Sequence, residues 1–433
     1  MLVKANSSRF SRFASPSIPK RIARALSRSK NRAVYCLSGY FLTHQRLPRW
    51  LFAQLRRFRP IFILGPFVIV TRDDDVRSVL TRNSDFELGE FARSRMLAGR
   101  FVLDTDWPRS HAAQLSVLHT AIAETDSREI RTIAEKICQD ALTKADVHVD
   151  VAALARGVSM AVVEQVHGLP GATEPDARLQ GWLTELASAI ILMPPPGLSE
   201  RQSVEKAADG LVSYVRTAIA SHPPGQTDAD LLSRLLAGVD ASDAPDWLDH
   251  DWVTRMACGM AIFGMATVVR TASDAMDEIL SQPEAVVEGA REAALRAQTD
   301  PDPLRRTIYE ALRFRPMLPV LARYSPRATL IGTRDARRRI VKAGATVWAP
   351  PLAAMHDPRA FAKPGRFVPE RDPAQSLVFG AGQHACLGQS FADAALIGIV
   401  GTLLRHPSLH RLPGKVGRIR YRGAAAEQLL VGI

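Results

Sequence analysis

Phe379-Gly380-Ala381-Gly382-Gln383-His384-Ala385-Cys386-Leu387-Gly388 is the stretch that decides the fold. It sets one cysteine in a glycine-rich loop, directly ahead of an apolar run over 389–405 that reads as a helix. Gly380 and Gly382 permit backbone conformations closed to other residues, and Gly388 lets the helix start pass close to a flat ligand. Amide hydrogens near a helix N-terminus lower a thiol's pKa and stabilise the thiolate. A lone cysteine so placed is one way to present an axial sulfur to haem iron.

The other cysteines have no such setting. Cys36, Cys138, Cys258 and Cys386 are separated by 102, 120 and 128 residues, and none belongs to a C-x-x-C pair. A structural zinc site is therefore not expected. Four cysteines in 433 residues do not form a disulfide framework either, so a reducing, intracellular compartment is the default.

The loop resembles the haem-binding signature of the cytochrome P-450 superfamily. That pattern is Phe, two residues, Gly, one residue, His or Arg, one residue, Cys, one residue, Gly, and Phe379, Gly382, His384, Cys386 and Gly388 fill every fixed position. The resemblance implies haem b (iron protoporphyrin IX), with Cys386 as its metal ligand and Phe379, Gly380, His384 and Gly388 around the cofactor. The implied fold is mainly α with a small β region, the haem lying between a long central helix and the C-terminal cysteine loop.

Further motifs agree with it. Glu310-Ala311-Leu312-Arg313 places an acid and a base three apart on one helix face. In the family this pair is buried and an arginine from a later loop joins it. Pro364-Gly365-Arg366-Phe367 stands where that arginine belongs, which implies a structural cluster of Glu310, Arg313 and Arg366. Arg323, His384 and His111 match residues that the family places on the haem propionates. Four residues after His111 the family usually has Arg, and this chain has Leu115.

One departure bears on chemistry. The family carries Ala/Gly-Gly-x-acid-Thr in its central helix, and Phe263-Gly264-Met265-Ala266-Thr267 falls on that pattern. Gly264 and Thr267 match, whereas Ala266 replaces the acid. The resemblance implies that Thr267 is the distal proton-relay alcohol, and that losing the acid slows or reroutes proton delivery. The other reading of Thr267 is a helix threonine bonded back to a carbonyl. Ile262, Phe263, Ala266 and Val320 are expected in the apolar wall of the substrate pocket, and 189–198, with three prolines, in its access lid.

The rest of the chain is consistent with one large globular domain. It is 46% hydrophobic and 23% charged, which excludes a disordered or collagenous chain. No run approaches the roughly 18 consecutive apolar residues of a membrane span. The net charge of +12 is not spread evenly: residues 1–60 hold 14 Lys and Arg and no acid, and the remaining chain has 42 basic against 44 acidic residues. Residues 1–45 thus read as a basic, partly disordered extension suited to anionic lipid or an acidic partner, and 46–433 as a single haem domain. No basic, aromatic-lined surface recurs, so nucleic acid is not expected.

The pattern predicts two short strands around Gly65-Pro66 and a helix through 76–80 capped by Asp73-Asp74-Asp75. It further predicts helices through most of 110–280, the longest over 252–281, and a small sheet over 329–348. The implied function is a monooxygenase that inserts one oxygen atom into an apolar small molecule. No Rossmann-type glycine turn follows a strand, so electrons come from a separate ferredoxin- or flavodoxin-type donor with its reductase. Rival readings are a haem-thiolate enzyme that bypasses oxygen activation (peroxide-driven, nitric-oxide-reducing or isomerising) and a non-catalytic haem-binding protein. A monomeric, cytoplasmic protein is expected, with peripheral membrane contact through the basic arm; organelle import is the alternative.

Overall fold

The computed structural model describes residues 43–433 apart from 89–98, 101, 103–104, 175–177, 192–197, 224, 334–337 and 424. Nearly all of the basic extension, and the three prolines of the expected lid, lie outside the described residues. The chain begins with α1 (Arg46–Phe58), β1 (Ile61–Leu64), β2 (Phe67–Val70) and α2 (Asp73–Thr81). It continues through α3 (Pro108–Ala121), α4 (Glu124–Lys144), β3 (His148–Asp150), α5 (Val151–Gln165), α6 (Arg178–Ile191), α7 (Leu198–Ala220) and α8 (Leu231–Val239). Next come α9 (His250–Leu280), α10 (Glu284–Arg296), α11 (Asp302–Phe314), β4 (Leu321–Ser325), β5 (Thr329–Ile331), β6 (Arg339–Val341), β7 (Ala345–Ala349), the short α12 (Pro351–Ala354) and α13 (Gln389–Leu404). The described chain is mainly helical with small sheets, as its sequence implies.

Helix α9 is the axis of the fold. Asp249 caps it by accepting the Trp252 amide at 2.6 Å, and Pro283 follows its last turn. Helices α5, α6, α7, α11 and α13 pack around it. By length and composition it is apolar enough to cross a bilayer, although no unbroken apolar run marks it in the sequence. Yet 72% of its most apolar window is buried inside the protein, so it reads as a core helix. Helix α13 is buried along its whole length from Ala394 to Leu404, as a helix apolar on every side must be.

The principal sheet has the order β1-β2-β7-β4. The predicted hairpin at Gly65-Pro66 forms, pairing Leu64 with Phe67 and Ile61 with Val70. Strand β2 runs parallel to β7, and β7 antiparallel to β4 with Arg323 opposite Val347. Val68, Val70, Ala345, Val347 and Ala349 point to the buried face. Side chains alternate across a strand, so Arg323 points the same way. The aspartates before α2 do not cap it as expected. Arg72 occupies the N-cap position without a side-chain bond, and all three acids lie in the first turn, where the helix dipole favours them.

Candidate functional site

The cysteine loop is held by its own backbone and by neighbours on three sides. Gly380 N–H donates to Leu377 O, Cys386 N–H to Phe379 O at 2.9 Å, and Ala385 N–H to Gly382 O. Gly382 adopts φ 77°, and a Cβ there would sit 2.3 Å from Leu80 O. No other residue fits, since both the dihedral and the contact with α2 demand glycine. Asn83 donates to Gln383 Oε1, and Gln383 Nε2 donates to Thr105 O and Asp106 O at 3.0 and 3.4 Å. Gln383, an unspecified position of the signature, thereby ties the loop to the segment entering α3.

Cys386 is solvent-accessible, whereas Cys138 and Cys258 are buried thiols whose pKa values burial pushes up to about 12. The Gly388 amide lowers the Cys386 pKa as expected, while desolvation by the surrounding protein raises it by more and Asp393 adds to the rise. The polypeptide alone thus favours the thiol, and a bound metal would be what deprotonates it. A Cβ on Gly388 would meet no protein atom within 4 Å, so nothing in the polypeptide requires its small size.

Beneath the loop, Glu310 and Arg313 form a buried bidentate pair at 2.7 and 2.8 Å. Arg313 also donates to Met355 O, Pro364 O and Arg366 O, so all five of its donors are satisfied. The expected third member is corrected here. Arg366 is exposed and contributes only its carbonyl. Arg371 is the arginine that returns to Glu310, at 3.4 Å, alongside the Val368 amide at 2.8 Å. Tyr309, unremarked in the sequence, meets the Phe379 ring at a tilt of 59° and donates to Asp393 at 2.9 Å, joining α11 to α13.

Three basic side chains converge beside the loop. Arg323 is 3% exposed, and burial pushes its pKa down to about 10. Its Nε has no hydrogen-bond partner among the described residues, nor has either ring nitrogen of His384. His384 Nε2 comes within 3.3 Å of Asp106 Oδ1 but not in hydrogen-bonding geometry. The His111 ring meets that of His384 edge-on at 5.3 Å, and burial followed by His384 lowers its pKa. Among the described residues, Asp106 is the carboxylate that acts on Arg323 and His111. Buried donors left unsatisfied are costly, and this set has more donor capacity than one carboxylate absorbs. It fits the paired carboxylates of a haem.

Helix α9 opens on one side only. In its middle, Met260, Phe263, Gly264 and Thr267 are half-buried while their neighbours are buried. Their spacing of three, four and seven residues defines a single face. Val320 is also half-buried. Ile262 and Ala266 were expected beside them and are not: they are 0% and 7% exposed, packed into the main core. One residue along a helix turns a side chain by about 100°, which takes both off the open face. Thr267 is the stripe's only polar side chain. Its hydroxyl donates back to Phe263 O at 2.5 Å, leaving its lone pairs as acceptors.

His167, which sequence reasoning passed over, links stripe and loop. Its ring stacks on Phe391 at 6.0 Å, five residues beyond Cys386, and its Cε1 lies 3.5 Å from where a Cβ on Gly264 would be. Burial alone pushes its pKa down to about 4, so the imidazole is neutral at pH 7. No sequence pattern marked it, because a single histidine after a helix is unremarkable until the fold brings Gly264 and Phe391 to it.

Comparison with known proteins points the same way. A family model described as Cytochrome P450 matches residues 207–425. Cytochrome P450 107B1 of Saccharopolyspora erythraea is 25% identical over 399 residues, covering 88% of this chain and 91% of that protein. Sterol 14alpha-demethylase of Mycobacterium tuberculosis is 28% identical over 225 residues, 46% of this chain. The chain spans 49% of that enzyme's length. The solved structure of CYP109B1 from Bacillus subtilis superposes with a TM-score of 0.73 over 89% of this chain and 99% of that one, at 20% identity.

Proposed function

Because the chain belongs to the cytochrome P450 family, whose prosthetic group is haem b, we propose that it is a haem-thiolate monooxygenase acting on an apolar small molecule. The observation that carries this reading is the cysteine loop, with unpartnered Arg323 and His384 donors beside it. Haem b, held through Cys386, supplies the activation of molecular oxygen and the transfer of one of its atoms into a C–H bond. Arg323, His384 and His111 would hold the haem carboxylates. Glu310, Arg313 and Arg371 brace the loop that presents the sulfur.

On the opposite side, Met260 and Phe263 offer apolar surface to a substrate, and Gly264 keeps the helix backbone close. Thr267 is a hydrogen-bond acceptor for a proton-bearing water. It donates outward only by giving up the Phe263 carbonyl. Position 266 is turned into the core and the described stripe carries no carboxylate, so proton delivery relies on solvent. Two electrons come from a separate ferredoxin- or flavodoxin-type partner, and the protein works as a monomer in the cytoplasm.

Ala266 also favours a second reading, an enzyme that takes peroxide in place of oxygen and electrons. The two are separated by measuring product formed per electron with a ferredoxin and its reductase, and per peroxide without them. The monooxygenase reading expects electron-driven product from the native protein. Positioned acid–base groups contribute about 10²–10⁴ in rate, so Thr267→Ala, which removes the stripe's acceptor for a proton-bearing water, should lower electron-driven product about tenfold or more. Product with peroxide alone, unchanged in Thr267→Ala, would establish the second reading instead.

A further inference from the structure

The face of the principal sheet opposite Arg323 is largely apolar and only partly covered, by helix α1. Side chains alternate along β2 and β7, so Val68, Val70 and Val347 are buried while Phe67 and Trp348 point outward. Phe67 is 51% exposed, its cross-strand partner Leu64 65% and Trp348 40%. Helix α1 lies on the same side, since Phe52 and Leu55 pack with Ile69, the outward neighbour of Trp348. Its solvent face adds Trp50, 58% exposed, and Phe58, 70% exposed at its end.

The charged side chains of α1 are all basic. Arg46, Arg57 and Arg59 are exposed, and the Arg57 guanidinium lies 5.2 Å above the Phe58 ring. No Asp or Glu precedes Asp73, and the 45 residues before α1 carry nine more Lys and Arg. Arg49 and Arg56 belong to the interior instead: one stacks on Phe314, the other donates to Ala353 O and His356 O.

We propose that the outer face of the β1–β2 hairpin and α1 is a peripheral membrane-binding surface, seated on anionic phospholipid. Leu64 and Phe67 at the hairpin tip enter the headgroup–acyl boundary, and Trp50 and Trp348 sit at the level where aromatic rings partition. Arg46, Arg57 and Arg59 stay among the phosphates, where each cation near an anionic surface adds attraction that salt screens. An acidic protein would satisfy the arginines but would offer no apolar phase to the aromatic and leucine side chains. This inference does not depend on the catalytic reading, because none of these residues belongs to the haem site.

The test is flotation of the full-length, haem-loaded protein with vesicles of phosphatidylcholine alone and of phosphatidylcholine mixed with phosphatidylglycerol. Binding is expected to the mixed vesicles, to weaken with added salt, and to be marginal with phosphatidylcholine alone. Leu64→Glu/Phe67→Glu should lower partitioning about tenfold or more, and the gentler Leu64→Ser/Phe67→Ser should do so in part. Both should keep the visible spectrum of the parent, since the tip residues touch no core. The proposal is overturned if the protein stays in solution with mixed vesicles at low salt. It is equally overturned if both tip variants float like the parent, which would leave the arm alone as the binding element. Dimers that dissociate in the tip variants without any lipid binding would make the face a self-interface instead.

Discussion

Arg323→Leu is expected to loosen haem binding by two to three orders of magnitude while stabilising the haem-free protein. The two effects have opposite signs for one reason. Arg323 is buried on the inner face of β4 with an Nε that finds no partner, and the carboxylate acting on it, Asp106, is shared with His384 and His111. A buried cation without adequate compensation destabilises the polypeptide that carries it. When a haem carboxylate provides the compensation, removing the arginine instead strands that carboxylate, at about 3–5 kcal/mol. Each 1.4 kcal/mol is roughly tenfold in affinity. Rates of haem loss to a scavenging apoprotein, together with denaturant unfolding of the haem-free forms, measure both effects. Equal rates of loss from parent and variant would remove Arg323 from the haem site.

Arg313→Ala should be more damaging still, because the guanidinium serves five acceptors at once. The substitution strands the Glu310 carboxylate, 3% exposed, and the carbonyls of Met355, Pro364 and Arg366. Breaking a buried pair costs about 3–5 kcal/mol, against a total stability of about 5–15 kcal/mol for a typical domain. The expected result is protein that is largely insoluble or fails to retain haem. Arg313→Lys should rescue little, since an ammonium has three donors and no planar fork. The same measurements on the two loop arginines distinguish their roles. Arg371→Ala should cost about 1–2 kcal/mol through its contact with Glu310 and its bonds to Ala362 O and Lys363 O. Arg366→Ala, which keeps the backbone carbonyl, should stay within about 0.5 kcal/mol of the parent. The reverse order would restore the assignment read from the sequence.

That exchange of arginines shows where sequence reading stops. Glu310 and Arg313 are three apart on one helix, so their pairing follows from helix geometry. Which arginine of a later loop turns inward depends on how residues 363–371 fold, including Lys363 at φ 48°, and no local pattern encodes it. The cysteine loop was legible because its glycines answer to backbone geometry: Gly382 is required both by φ and by contact with Leu80. Gln383 was not, since its role as a latch exists only once Thr105 and Asp106 lie beside it. The distal wall fails for a different reason. A five-residue motif places the right turn of α9 but not its rotation, and that rotation exposes Phe263 and Thr267 while burying Ile262 and Ala266. The alternation that puts Phe67 and Trp348 outside is visible in sequence, but uncovered strands and covered ones read alike until the packing of α1 is known.

The central claim is that Cys386 presents its sulfur to haem iron. Its most direct test is the visible spectrum of the dithionite-reduced protein under carbon monoxide, taken for the parent and for single cysteine variants. Thiolate ligation by Cys386 should give the long-wavelength Soret band in the parent, its persistence in Cys138→Ser and Cys258→Ser, whose thiols are buried in the core, and its loss in Cys386→Ser. A shorter-wavelength band in the parent, of the kind given by a histidine ligand, or a thiolate band that survives Cys386→Ser, would contradict it.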